Sequence, residues 1–232
     1  MKNILKYLAG TFYKPLLIKW LSKERSYSFN DIHLKIHPSV FHPGFFFSTK
    51  ILLKQLSTLP LSGKKLLELG AGNGLISITA AKAGAIVTGT DINPVATAYL
   101  ERNMQLNRVT LTVITSDLFK KIPPQLFDII VINPPYYFKN PATFKDYAWN
   151  CGENGEYFED LFKNLSNYID QNTVILIILC EDCNRSVIQS IAKRFGFGFE
   201  CIRTENNLIE RNYIYQVHQQ DEKNIIIQSQ EQ

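Results

Sequence analysis

The residues of this 232-residue chain best suited to chemistry close the apolar run FDIIVINPPYY, residues 127–137: Asn133, Pro134, Pro135 and Tyr136. Two prolines fix the backbone and remove N–H donors, which leaves the Pro134 carbonyl free to point into a site. The Asn133 side-chain oxygen and that carbonyl can each accept one hydrogen from a target NH2 group. Such a grip pulls electron density toward the nitrogen and aims its lone pair at an electrophilic methyl carbon. The Tyr136 ring can stack on a flat target. The chemistry is an in-line transfer to a planar nitrogen, resting on positioning and electrostatics without a covalent enzyme intermediate.

A second constellation can hold the methyl donor. Residues 66–75 read LLELGAGNGL, a buried strand running into a turn and then a helix. Gly70, Gly72 and Gly74, with Asn73 between the last two, permit a tight turn and a close backbone approach to a ligand. A GxGxG turn also suits dinucleotides, but two features favour S-adenosylmethionine. Leu75 stands where the dinucleotide fingerprint wants glycine or alanine. Glu68, just ahead of the glycines, can attract the ammonium end of a sulfonium ligand, whereas it would repel a pyrophosphate. Asp91 ends the next strand, where an acid takes both ribose hydroxyls, and Ile92 offers an apolar wall for adenine. Asp117 follows a third strand and can accept from the adenine amino group, with Leu118 covering the ring.

These residues need strand ends aligned on one edge. Strands are expected at 65–69, 85–91, 110–115, 127–133, 173–179, 197–203 and 212–218. Helices are expected at Leu75–Lys82, Pro94–Leu106, Gly155–Tyr168 and Asn184–Arg194. Asn93 caps the second of these, with Pro94 at its first position. Near-continuous apolar strands alternating with helices imply a parallel sheet covered on both faces. The last two strands have no helix between them and should pair antiparallel at one edge. Upstream, residues 3–22 read as an amphipathic helix broken near Pro15. Residues 27–36 read as a hairpin turning at Asn30-Asp31, and Ser48 or Thr49 as the cap of a helix through Leu56. The organisation expected is a basic N-terminal extension (1–40), a catalytic domain (41–220) and a polar tail (221–232).

Composition fits one packed α/β domain, with 45% hydrophobic and 20% charged residues. No apolar run is long enough to span a membrane, and Lys6, Lys14 and Lys19 interrupt any signal-peptide core, so a cytoplasmic location with reduced cysteines is expected. The net charge of +4 is uneven. Residues 1–65 carry eleven Lys/Arg against Glu24 and Asp31, while the remainder is net acidic. A basic front on an acidic body suits a polyanionic or acidic partner, or is simply a solvated surface. Cys180 and Cys183 have no second pair for zinc, and His33, His37 and His42 have no acid at ligand spacing, so no metal is expected. Phe41, Phe45, Phe46, Phe47, Tyr136, Tyr137 and Phe138, interleaved with Lys50, Lys54 and Lys139, can stack bases or pack a core.

ELGAGNG, the acid of TDINPVA, SDLF and INPPYY together resemble the N-methyltransferases of the class I Rossmann-like superfamily. Within it the chain is most similar to the HemK-like group, which methylates a glutamine amide in peptide-chain release factors, and to small-domain methyltransferases. WNCGENGEYFEDLF (149–162) resembles that group's glycine-acid-x-glycine segment. FFFSTKILL (45–53) resembles the stretch whose threonine, here Thr49, lies near the methionine part of the cofactor. The resemblance covers about residues 40–220. It implies a doubly wound seven-strand sheet with an antiparallel last strand, which follows the short helix and hairpin read above. NPPY is shared with enzymes that methylate base amines in RNA and DNA. The first forty residues are too short for the helical substrate domain of the bacterial release-factor enzymes. A protein glutamine and a nucleic-acid base amine therefore both stand as acceptors, and oligomeric state stays open.

Overall fold

The computed structural model describes residues 22–44, 47–206 and 210–220. The helix expected over residues 3–22 lies outside the described residues except for Ser22, as do Phe45, Phe46 and the tail 221–232. Strands β1 (Arg25–Phe29) and β2 (Ile32–Ile36) form the expected antiparallel hairpin, with Asn30 at φ 50° in its turn. Helix α1 (Phe47–Leu56) follows, and then β3 (Lys65–Leu69), α2 (Leu75–Lys82), β4 (Ile86–Asp91), α3 (Pro94–Leu106) and β5 (Thr112–Thr115). The second half comprises β6 (Ile129–Ile132), α4 (Glu156–Leu165), β7 (Val174–Cys180), α5 (Arg185–Arg194), β8 (Phe197–Asn206) and β9 (Arg211–Gln219).

The main sheet has seven strands in the order β5-β4-β3-β6-β7-β9-β8. Strands β3 to β7 pair in parallel, and β9 runs antiparallel to both β7 and β8. Side-chain alternation divides the strands between two apolar layers. Leu67, Leu69, Ile130, Ile132, Ile175 and Ile177 face α4 and α5. Leu66, Ile129, Val131, Leu176, Ile178 and Ile214 face α1, α2 and the hairpin. Strand order reverses between β3 and β6, so their carboxyl ends diverge and open a crevice there.

Helices α2 and α3 have the expected limits, and Asn93 Oδ1 accepts from the Val95 N–H at 3.0 Å. Other boundaries moved. Helix α1 starts at Phe47, so Ser48 and Thr49 lie inside its first turn and cap nothing; Ser48 reaches the cleft instead and Thr49 is buried beside it. The helix expected to reach Tyr168 is α-helical only to Leu165 and tightens into a 3-10 turn over Ser166–Tyr168. There the Tyr168 hydroxyl donates to the Ile122 carbonyl at 3.0 Å.

The hairpin is held to α3 by two asparagines one helical turn apart. Asn107 Oδ1 accepts from the His33 N–H at 2.9 Å and its Nδ2 donates to the His33 carbonyl at 2.7 Å. Asn103 repeats the pattern on Lys35, at 2.7 and 2.9 Å. Residues i and i+2 of a strand point their backbone groups the same way, and i and i+4 of a helix share a face. The two side chains thus stand in for a neighbouring strand along β2. Asn103 is fully buried, and its Nδ2 also donates to the Asn73 carbonyl in the glycine turn at 2.9 Å. Asn103→Ala strips all three partners at once and should destabilise the protein by about 2–4 kcal/mol. Urea unfolding measures this; a loss under about 1 kcal/mol would mean water replaces the side chain.

Candidate active site

The carboxyl ends of β3, β4, β6, β7 and the start of β9 border a cleft of about 150 Å³. All but one of the residues singled out in the sequence as catalytic or cofactor-site candidates line it: Thr49, Glu68, Gly70, Gly72, Asn73, Asp91, Ile92, Asp117, Leu118, Asn133, Pro134, Pro135 and Tyr136. Gly74 is the exception and lies just behind the turn as the residue before α2.

The glycine turn is fastened by the Gly70 and Ala71 N–H groups, which donate to the Thr90 carbonyl at 2.9 and 2.7 Å. Gly74 sits at φ 87°, and a Cβ there would collide with Leu100 of α3. Both conformation and space therefore demand glycine. Asn73 is buried and donates from Nδ2 to the Phe41 carbonyl at 2.7 Å, while its Oδ1 is buried without a partner. That bond draws the segment after the hairpin across the turn, so Val40 and Phe41 form a wall of the cleft.

Two acids sit on either side of the turn. Glu68 is 5% exposed and takes the Ser77 hydroxyl on Oε2. Burial pushes its carboxyl from the ordinary 4.5 up to about 8; the Ser77 hydroxyl opposes this and the Asp91 charge adds to it. Asp91 accepts from the Gly72 N–H on one oxygen and the Asn93 N–H on the other, each at 2.9 Å. Burial raises its pKa too, against the pull of those N–H groups. A ligand with one net positive charge and several donors suits this end, since it would favour both carboxylates and could satisfy the Asn73 acceptor. Asp117 lies further along, with Oδ2 paired to Lys120 at 2.5 Å, and Leu118 is turned into the left-handed region at φ 45°. Ser116 holds that turn by donating to the Leu118 carbonyl at 2.8 Å.

At the other end, Asn133 is partly buried and its Nδ2 donates to Ser48 Oγ at 3.4 Å. The Tyr136 and Tyr137 N–H groups both donate to the Trp149 carbonyl, at 3.0 and 2.8 Å. This clamps the segment after β6 against residues 149–152. Burial raises the Tyr136 phenol well above its ordinary range, so the ring is neutral. Tyr137 packs edge-on against Tyr136 but turns outward, 42% exposed, and does not line the cleft. Phe138 packs into the core instead. Cys180 lines this end, with its sulfur 3.3 Å from that of Cys183. No group of three or more metal-binding side chains occurs among the described residues.

Several cleft residues are not among those singled out in the sequence. Phe144, Tyr147 and Trp149 come from the segment before α4 and form an aromatic rim, with Trp149 5.4 Å from Phe41. Glu210 and Asn212 enter from the last hairpin of the sheet. Ser77 is one of two hydroxyls in the apolar helix LISITAAK, and the other, Thr79, bonds back to the Leu75 carbonyl. Beside Trp149 lies a smaller hollow of about 90 Å³ whose lining includes Lys23, Arg25, His37 and Lys145. None of His33, His37 and His42 lines the main cleft: His33 bonds to Ser28, and His37 and His42 line the hollow.

The family described as methyltransferase small domain matches residues 31–151, about half of the chain. A Methanocaldococcus jannaschii protein to which protein N5-glutamine methyltransferase activity is ascribed is 37% identical over 175 residues, spanning 73% of this chain and 86% of its own. Methyltransferase HEMK2 of Homo sapiens is 30% identical over 141 residues, 56% of this chain and 66% of its own. Among solved structures, the ribosomal protein L11 methylase of Lactobacillus delbrueckii superposes with a TM-score of 0.60 at 16% identity, covering 80% of this chain and 84% of that one. The Thermus thermophilus 16S rRNA N2 G1207 methyltransferase, solved with AdoMet and guanosine, gives 0.59 at 16%, covering 85% and 50%. These two structural likenesses establish the fold.

The protonation of Glu68 has a consequence for stability. Its folded-state pKa of about 8 lies above the ordinary 4.5, so between those values the native state holds a proton that the unfolded chain releases. Stability should therefore fall as pH rises from about 5 to about 8. Glu68→Gln keeps an oxygen for Ser77 and removes the titration. It should flatten that slope and raise stability at pH 8 by roughly 4 kcal/mol in the ligand-free protein. Denaturant unfolding at several pH values tests this, and an unchanged slope in the variant would assign the pH dependence to another group.

Proposed function

Because the chain belongs to the methyltransferase small-domain family, we propose that it methylates the side-chain amide nitrogen of a glutamine in a protein. S-adenosylmethionine is its cofactor, and when bound it supplies the electrophilic methyl group. The observation that carries the acceptor reading is the orientation of Asn133. Its Nδ2 is turned to Ser48, which leaves Oδ1 as the free end of the amide. An acceptor oxygen beside the Pro134 carbonyl matches the two hydrogens of an NH2 group. The similarity to the Methanocaldococcus protein adds weight to a glutamine amide.

In this reading Glu68 and Asn73 hold the amino-acid part of the cofactor, with buried Thr49 beside them. Asp91 takes the ribose hydroxyls, and Ile92, Asp117 and Leu118 receive the adenine. Asn133 and Pro134 hold the target NH2 so that its lone pair faces the methyl carbon, and Pro135 keeps that carbonyl rigid. Tyr136 packs against the flat face of the target. No group needs to form a bond to the substrate, so the rate gain comes from orientation and fixed dipoles. No described helix is long and apolar enough to cross a membrane. The rival acceptor, an exocyclic base amine of RNA or DNA, draws support from the aromatic rim and the cationic hollow beside Trp149.

Purified protein given methyl-labelled S-adenosylmethionine and host lysate split into protein, RNA and DNA should label a protein in the release-factor size range. Acid hydrolysis of that band should release methylamine, the mark of a methylated amide. Label confined to RNA or DNA would transfer the site to base amines. Asn133→Ala should lower kcat by roughly 10²–10³-fold while the cofactor Kd changes by less than about threefold. Single-turnover rates and calorimetric cofactor binding separate the two effects, and full turnover in the variant would remove Asn133 from the mechanism.

A further inference from the structure

We propose that Asn212 sets acceptor specificity, donating its side-chain N–H to the hydrogen-bond acceptor carried beside the nucleophilic nitrogen, namely the carbonyl oxygen of the target amide. The inference rests on the glutamine reading above and assigns the half of the amide that Asn133 and Pro134 leave unheld.

Asn212 lies near the start of β9, opposite Cys180 of β7, and lines the acceptor end of the cleft. It is 1% exposed, and its Nδ2 is buried with no partner in the protein. A buried donor left unpaired is a liability that packing alone gives no reason to keep. The neighbours on its side of the strand are hydrophobic, so an aliphatic residue would suit the fold as well or better. Val131, Ile178 and Ile214 belong to one apolar layer, and alternation along β6 and β9 carries Asn133 and Asn212 onto that same face at the strand ends. On β7 between them, Ile178 is level with Asn133 and Cys180 with Asn212, and both line the cleft.

The dimensions agree with this arrangement. Strands two apart in a sheet are separated by roughly 10 Å, and the two-residue offset between Asn133 and Asn212 lengthens their backbone separation to roughly 12 Å. A primary amide held by a hydrogen bond at each end spans roughly 8 Å, and the two asparagine side chains cover the rest. An amide lying over Ile178 and Cys180 thus presents NH2 toward Asn133 and C=O toward Asn212. A lysine amine has no acceptor to offer Nδ2 and would leave it unpaired, so the same residue that orients an amide rejects an amine. A donor on the carbonyl draws density away from the nitrogen and cannot speed the transfer. Its contribution is orientation, and it belongs in KM more than in kcat.

The test uses the whole protein, labelled S-adenosylmethionine and the release factor of the host as acceptor, alongside the same factor with its methylated glutamine changed to lysine. Asn212→Leu keeps the branch at Cγ without the polar atoms, and Asn212→Asp turns the donor into an acceptor. Both should raise KM for the factor roughly tenfold, with a smaller change in kcat and a cofactor Kd within twofold of the parent. The Leu variant should have an unchanged or higher Tm, because it removes an unpaired buried amide. The parent protein should leave the lysine factor unlabelled. Parent-like KM in both variants, or lysine methylation by the parent, would overturn the role of Asn212. A KM rise that comes with a lower Tm and weaker cofactor binding would make Asn212 a structural residue. If the parent labels no glutamine at all, the failure lies in the glutamine reading itself, and this inference goes with it.

Discussion

Asn103 is the residue on which the arrangement of the cleft depends. A parallel sheet leaves the carboxyl ends of its strands open, and a ligand bound there needs a wall that the sheet cannot supply. Here the hairpin and the segment after it provide that wall. The hairpin's outer backbone groups have no strand to pair with, so their position would be ill defined if apolar contact alone held them. Asn103 and Asn107 remove that freedom by hydrogen-bonding two residues of β2. Asn103 then passes the constraint on to the Asn73 carbonyl, and Asn73 passes it to Phe41. Buried amides of this kind bind strongly only when fully paired, which makes the linkage specific as well as stabilising. One chain of side-chain amides therefore sets the hairpin, the glycine turn and the far wall of the cleft relative to one another.

The remaining tension is electrostatic. Glu68 and Asp91 are two acids buried on either side of one turn, and each has its pKa raised by burial. A fold chosen for stability alone would place apolar or amide side chains there, because an isolated buried charge is costly. The backbone supplies part of the relief at Asp91 through the Gly72 and Asn93 N–H groups. At Glu68 the relief is one hydroxyl, and the carboxyl stays protonated near neutrality in the ligand-free protein. A cationic ligand reverses that balance, since its charge favours the carboxylate form. Part of the binding energy is thus stored as an unfavourable arrangement in the empty protein.

Legibility in the sequence followed the range of the interactions. Helices α2 and α3 were read to their limits because their signals are local: a glycine turn before one, and Asn93-Pro94 before the other. The motif residues of the strand ends were legible for the same reason, as each follows an apolar run directly. The start of α1 was misread because Ser48 and Thr49 look like a cap in sequence, whereas their oxygens serve the cleft. Asn103 lies 68 residues from its partner Lys35 and 30 from Asn73, and no local pattern distinguishes it from any polar residue on a helix. Asn212 opens a strand whose place beside β7 is fixed only by the order of the sheet. Trp149 and its aromatic neighbours come from a loop with no periodicity to read. Residues that act through pairing across the fold stayed hidden, and residues that act through the local shape of the chain did not.

The strand order also explains how one cleft can serve two different ligands. On the β3-β4-β5 side the polar groups that converge are mostly acids: Glu68, Asp91 and Asp117. On the β6-β7-β9 side the lining includes Asn133, Pro134 and Asn212, together with Tyr136, Trp149 and Glu210. The boundary between them is the place where strand order reverses, so in the proposed reaction a methyl group presented from one side meets a nitrogen presented from the other. A charged donor and a neutral acceptor then occupy separate fields, and neither half has to compromise its polarity for the other. This division depends on both partners staying fixed to the same sheet edge. That is why the prolines after Asn133 and the glycines after Glu68 matter: each lets the backbone turn sharply away just as its strand delivers a functional group.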